Sequence, residues 1–289
     1  MIKHLVLEGG SYKGLSLIGT LKYLNQNNYY NIENIKTIYG TSVGAYIGVL
    51  ICLNIEWQVL IDYIVNRPWE KIIPITAEMF IEMISAKGFF DDTFFYRSLE
   101  NVFLSKDITL DITLKEFYDF SQIELHMFSI RVQDFEMIDY SYKTHPNMKL
   151  LHTIYQTCCI PYIFKPHWYD NNYYIDGGLL NNYPVKDCIQ NGAKNEEILG
   201  ICFQNKSTAT INQESNIFEF CYYIHKRLAK MVSNKNKCIL INEVQIPYEN
   251  NNINTFMDII KNKEIRELYI NNGEELAQHF LDGIQKNET

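Results

Sequence analysis

Apolar and polar positions alternate in two rhythms along the first third of the chain. Residues 2–8 ("IKHLVLE") form a short apolar run stopped by Gly9 and Gly10, which predicts a buried strand. Residues 15–27 place Leu15, Ile18, Leu21, Tyr23 and Leu24 on one helical face. A second strand-like run, "IKTIYG" (35–40), leads into a small apolar helix over 43–53. A strand, helix, strand, helix order favours a parallel sheet with right-handed crossovers. The strand signal fades over 56–120, which reads as helical. It returns in "LHMFSIRV" (125–132) and "FEMIDYSY" (135–142), joined through Gln133 and Asp134 as a hairpin. A short helix over 148–158 is ended by Pro161 and Pro166, and "NNYYIDGGLLNNYPV" (171–185) is a strand broken at a double glycine. Further on come a core strand at 197–203, a helix at 214–233, a last strand at 237–244 ("KCILINEV") and two charged amphipathic helices over 253–284. There is no internal repeat or low-complexity linker, so one large α/β domain over residues 1–289 is expected.

The aromatic-rich stretch 79–104 carries Phe80, Phe89, Phe90, Phe94 and Phe95. Two readings stand: a lipid-facing lid or pocket wall, or rings that pack a helical subdomain onto the sheet, the second being the usual fate of apolar residues at helical spacing. A net charge of −8 lacks the basic footprint of a nucleic-acid binder, and it leaves any peripheral membrane contact to local, largely apolar surface. The seven cysteines form no CxxC pair and mostly sit in apolar runs, so they read as buried thiols of a reducing compartment, with no metal or other cofactor implied. With no signal-peptide pattern after Met1 and no run of 18 apolar residues, a soluble, cytoplasmic protein is the expectation.

Candidate chemistry starts at "GTSVG" (40–44), a Gly-x-Ser-x-Gly between a strand and a helix. A nucleophile elbow needs Gly40 and Gly44 because its turn is too sharp for neighbouring side chains, and it presents the serine hydroxyl at the helix N-terminus. Ser42 is the candidate nucleophile; the competing reading makes it an ordinary helix cap. A serine needs a base. Of the seven histidines only His225 and His279 follow the later acidic candidates, and both fall in mid-helix, where a solvated or satisfied histidine is the usual finding. Asp176, at a strand end ahead of Gly177 and Gly178, is the alternative base, or else a plain turn residue. A partly desolvated carboxylate bonded directly to the serine supports a Ser-Asp dyad without histidine.

The turn "GGSYKG" (9–14) lacks the spacing of both a P-loop and a dinucleotide fingerprint. One strand away from a serine elbow, the free amides of Gly10 and Ser11 are better employed as an oxyanion hole for acyl transfer.

These three motifs, in this order, resemble the patatin-like phospholipase family. The family's Gly-Gly-Gly-x-Lys/Arg-Gly pattern matches Gly9, Gly10, Ser11, Tyr12, Lys13 and Gly14; its elbow matches Gly40 to Gly44; its Asp-Gly-Gly/Ala matches Asp176, Gly177 and Gly178. "CCIPYIFKP" and the Asn-Asn-x-Pro of Asn181 to Pro184 are secondary similarities, and together the likeness spans about residues 4–204. The resemblance implies a three-layer α/β/α fold with a mostly parallel central sheet. It also implies a Ser42/Asp176 dyad and calcium-independent hydrolysis of fatty-acyl esters in phospholipids or neutral lipids. A soluble carboxylesterase or thioesterase, and a non-catalytic lipid-binding protein on the same scaffold, are the alternatives. Ser11 replaces the family's third glycine; if that position needs positive φ, the residue is strained by about 1–2 kcal/mol while its amide stays available. Lys13 either neutralises a phosphate head group or anchors the turn.

Overall fold

The computed structural model of the chain describes residues 1–288 apart from 73–75, 207–210, 236–237 and 249–252. Among the described residues eight strands form one sheet: β1 (His4–Leu7), β2 (Thr37–Thr41), β3 (Glu124–Arg131), β4 (Glu136–Tyr140), β5 (His167–Tyr169), β6 (Asn172–Asp176), β7 (Ile198–Asn205) and β8 (Asn242–Tyr248). Five of them run parallel in the order β3, β2, β1, β7, β8, and β4, β5 and β6 add antiparallel pairings beyond β3. Strand β1 is buried on both faces, as its unbroken apolar run demands. Leu5 and Leu7 join the large core, whereas Val6 joins a second, smaller one with Tyr39, Phe128 and Ile198.

The large core lies under α1 (Gly14–Gln26), α2 (Val43–Cys52), α3 (Trp57–Asn66), α4 (Trp69–Ile72), α5 (Ala77–Ala86), α6 (Thr93–Leu104), α7 (Leu114–Ser121) and α8 (Leu150–Cys158). The second core is covered by α9 (Val185–Gln190), giving the expected α/β/α layering with one thin outer layer. Three helices complete the chain: α10 (Ile217–Lys235), α11 (Ile253–Lys261) and α12 (Lys263–Glu288). Helix α12 lies tightly on α1. A side chain at Gly19 would meet the Ile270 carbonyl oxygen at 2.0 Å and one at Gly273 would meet that of Ser16 at 2.0 Å, so the two glycines permit the crossing. Thr20 then donates to the Gly273 carbonyl at 3.0 Å and Ser16 to that of Tyr269 at 2.8 Å.

Three elements differ from expectation. The last strand begins at Asn242, five residues later than its apolar run predicts, and Lys237 lies outside the described residues. The Asn195 side chain brackets the segment before it, donating to the Ile239 carbonyl and accepting from the Ile241 amide, both at 2.8 Å. This diverts Cys238–Ile241 from the ladder, and pairing with β7 starts only at Leu199 opposite Asn242. Strand β5 and helix α9 have no counterpart in the sequence pattern, being too short to show a period. The aromatic stretch follows its packing reading: Phe90, Phe94 and Phe95 surround Phe164, with ring centres 5.3–5.7 Å from it, and Phe95 meets Tyr155 of α8. The side chain of Phe80 lies outside the described residues.

Candidate active site

The strand order reverses around β1, which is paired with β2 on one side and with the late-arriving β7 on the other, and the carboxyl ends there form the crevice where open α/β sheets bind ligands. Both the 9–14 turn and the serine elbow open onto it. Ser42 has φ 55° and ψ −129°, a sparsely populated conformation that costs a non-glycine residue roughly 1–3 kcal/mol. The flanking glycines permit the turn: a side chain at Gly44 would stand 2.2 Å from the Leu7 carbonyl oxygen, and one at Gly40 2.6 Å from the Ala45 amide. The Ser42 hydroxyl makes no capping bond to α2, which removes the helix-cap reading. The Ser42 amide donates to Thr157 Oγ1 at 3.0 Å, and that hydroxyl donates to the Phe128 carbonyl at 2.6 Å, tying the elbow to α8 and β3.

Asp176 reaches the same place by register. Strand β6 runs antiparallel to β3, so its carboxyl end points the opposite way from those of the parallel strands. It pairs only with the last residues of β3, with Ser129 opposite Asp176, while the neighbouring Phe128 stands opposite Thr41 of β2. The carboxylate therefore arrives one residue beyond the end of β2, beside Ser42. The turn reading is also satisfied in part, because Oδ1 accepts from the Gly178 amide at 2.6 Å. Oδ2 is buried with no hydrogen bond of regular geometry among the described residues, and the Ser42 hydroxyl stands close enough to favour the ionised carboxylate. Ser42 is 4% exposed and Asp176 3%. Burial pushes the Asp176 carboxyl up to about 7, against the weaker pull of Ser42 and the Gly178 amide.

The 9–14 turn divides its amides. That of Gly9 is spent on the Asn182 carbonyl at 3.0 Å, that of Lys13 on the Gly10 carbonyl at 3.2 Å, and that of Gly14 on the Ser11 carbonyl. Gly10 and Ser11 are left with amides that bond to no described residue, whereas those of Gly9, Lys13 and Gly14 are already committed within the protein. The turn stands against the serine: a side chain on Gly9 would come within 3.1 Å of Ser42 Cβ. Ser11 adopts φ 54°, the left-handed conformation that the glycine of the family pattern would take without strain.

Lys13 is buried, its ammonium 3.6 Å from the centre of the Tyr248 ring and 4.6 Å from that of Phe203. Burial pushes the lysine down and Glu8 up, and their mutual attraction opposes both shifts. Glu8 in turn accepts from the Phe203 amide and from Asn182 Nδ2, which also donates to the Gly9 carbonyl at 2.9 Å. This buried placement among Tyr248, Phe203 and Glu8 is that of a side chain that anchors the turn. Asn182, noted in sequence only as part of Asn-Asn-x-Pro, clamps the turn to the segment after Asp176.

Two further neighbours escaped the sequence pattern. The Cys158 thiol, at the end of α8, lies beside Ser42 and near Asp176, and burial pushes it well up. Tyr222 of α10 lies near Asp176, its hydroxyl raised to about 12 by burial first and by that carboxylate second. Cys158 enters the sequence reading only as the first residue of CCIPYIFKP and Tyr222 not at all, because packing from distant segments brings them in. No histidine interacts with Ser42 or Asp176 among the described residues: His225 borders an adjacent groove, and His126 is held by Glu124 and Asp139. No group of three or more His, Cys, Asp or Glu able to hold a metal occurs among the described residues. Among those residues no helix is long and apolar enough to cross a membrane.

Known proteins share parts of this sequence and fold. A probable lipid hydrolase of Invertebrate iridescent virus 6 is 30% identical over 190 residues, covering 65% of this chain and 63% of that protein. An uncharacterized protein of Acanthamoeba polyphaga mimivirus is 24% identical over 191 residues, covering 64% and 60%. The chain thus spans just over three fifths of the length of these relatives. Among solved structures, VipD from Legionella pneumophila superposes with a TM-score of 0.57 at 16% identity, covering 98% of this chain and 67% of that one, which is a likeness of fold. The sequence profile of the patatin-like phospholipase family matches residues 5–189, and the chain belongs to that family.

Proposed function

We propose that the protein is a lipid acyl hydrolase that cleaves fatty-acyl esters, phospholipids above all, through Ser42 and Asp176. The observation that carries this reading is the buried Asp176 Oδ2, unpaired beside a strained serine. Backbone strain and an unsatisfied buried oxygen each cost stability, and a binding-only scaffold gains nothing from keeping them together.

In the proposed reaction Ser42 Oγ attacks the acyl carbonyl while Asp176 takes its proton. The oxyanion of the tetrahedral intermediate accepts from the Gly10 and Ser11 amides, where the loss of one donor costs roughly 100- to 1,000-fold. Collapse expels the alcohol, which takes the proton back from Asp176 and leaves an acyl-serine. Asp176 then deprotonates a water that attacks the ester, and the serine is regenerated. Each step uses protein groups and water, so turnover in the presence of a calcium chelator belongs to the proposal. A soluble, cytoplasmic enzyme in peripheral contact with lipid fits this reading.

The test is hydrolysis of a phospholipid and of a short soluble ester by Ser42→Ala and Asp176→Asn, with folding followed by circular dichroism. Each folded variant is expected to lose at least about 1,000-fold in kcat, the scale on which residues acting as a catalytic unit respond. Retained turnover in either one overturns the dyad.

A further inference from the structure

Helix α10 is amphipathic in the reverse sense. At 100° per residue, Ile217, Phe220, Cys221, Ile224, Leu228 and Met231 fall within an arc of about 100°. A surface helix ordinarily turns such a stripe to the core. Here the body-facing side carries Tyr222, beside Asp176, and Lys226, whose ammonium lies over the Tyr248 ring. The stripe faces outward: Ile217 and Met231 are 66% and 63% exposed, and Phe220, Ile224 and Leu228 between them are also open. None of the described α10 side chains is fully buried, and the helix's main contact with a named element is the turn Gly177–Leu179 directly after Asp176. The stripe borders an open trough of about 470 Å³ whose opposite wall includes the half-exposed Val132 and Tyr162 and which reaches Leu179.

Charge identifies the occupant. In a chain of net charge −8, residues 217–235 hold Lys226, Arg227, Lys230 and Lys235 against Glu219 alone. Arg227 and Lys230 are exposed on one flank of the stripe, and Lys87 lines the trough. An outward apolar stripe with a basic flank is the pattern of a helix lying in the interface of an anionic bilayer. A second copy of the chain fits less well, since pairing two such helices sets like charges against each other.

We infer that α10 is the membrane-docking element of the protein, seating its outward stripe in a bilayer that contains anionic phospholipid and so bringing the lipid surface to the trough beside Asp176. This rests on the lipid-hydrolase reading for its purpose, but the two are measured separately.

The experiment is flotation of the Ser42→Ala protein with phosphatidylcholine vesicles, with and without one quarter phosphatidylserine, while activity is read on the wild-type background with a short soluble ester. Binding is expected to rise at least tenfold with phosphatidylserine. It should fall at least tenfold in Ile217→Asp/Met231→Asp, and roughly fivefold per charge removed in Arg227→Gln/Lys230→Gln. Those substitutions on the wild-type background should leave soluble-ester turnover unchanged, because the four residues lie outside the catalytic groups. Equal binding to both vesicles, or binding that survives the Asp substitutions in folded protein, overturns the inference. So does a stripe-dependent dimer that binds no vesicles. An inactive wild type that still floats with anionic vesicles would instead overturn the hydrolase reading alone.

Discussion

Two buried acids meet strand β3 and end in opposite states. Glu124 begins the strand, and Asp176 stands opposite Ser129 further along it. Burial pushes Glu124 up, but hydrogen bonds from His126 and Lys143 outweigh that and hold its carboxyl below the ordinary range. Its ring partner His126 is buried too, stacked on Tyr39 with centres 4.1 Å apart, and Asp139 at 2.9 Å with Glu124 raises it to about 9 against the pull of burial. Among the described residues Asp176 has no cation beside it, only an amide and a hydroxyl, and it rises to about 7 as burial outweighs both. Burial alone does not make a base: Glu124 is fixed as a structural anion by its counter-charges, and the lack of one leaves Asp176 able to gain and lose a proton near neutrality.

The comparison is broken most severely by removing the counter-charge. His126→Leu removes the cation that Glu124 shares with the partly exposed Asp139 and leaves Glu124 with Lys143 alone, and the expected loss is about 3 kcal/mol of folding stability, read by urea denaturation at pH 7. The corresponding loss at the other acid has the reverse sign. The folded pKa of Asp176 lies above its ordinary 3.8, so the native state holds the extra proton between about pH 4 and 7, and stability falls as pH rises through that window. Asp176→Asn, which keeps the shape without the charge, should therefore stabilise the protein by roughly 1–3 kcal/mol above pH 7, with the gain shrinking toward pH 4. Thermal melts of both proteins across that range check it, and a gain that does not change with pH would contradict it.

How much of this was legible in the sequence follows from where the constraint lies. The elbow is readable because its sharp turn leaves no room for side chains, at Gly40 against the Ala45 amide and at Gly44 against the Leu7 carbonyl of β1, and the Asp176 turn because the Gly178 amide donates back to it. The early parallel strands were readable because burial on both faces leaves unbroken apolar runs. By contrast, Cys158, Tyr222 and the Asn182 clamp reach the site through contacts between distant segments, and no local period encodes them. The last strand was misplaced for a similar reason: Asn195, more than forty residues upstream, holds the apolar Ile239 and Ile241 outside the ladder.

A third prediction follows His126 through pH. Its folded pKa of about 9 exceeds the ordinary 6.5, so its contribution is fully present below about pH 6.5 and is lost as pH rises through 9. The His126→Leu variant should therefore lose its stability deficit relative to wild type on going from pH 6 to pH 10. The smallest effect is expected at the turn. Ser11→Gly relieves the strain at φ 54° but adds flexibility to the unfolded chain, for a net gain of about 0.5–1 kcal/mol with soluble-ester turnover retained.

The central claim is that Asp176, raised by burial and left without a cation, is the base that activates Ser42. Its most direct test is the pH dependence of kcat/KM on a soluble short-chain ester, which reports the free enzyme's essential base. The account predicts a single-proton ascending limb with its midpoint near 7, whereas activity that stays flat from pH 7 down to pH 4 would contradict it.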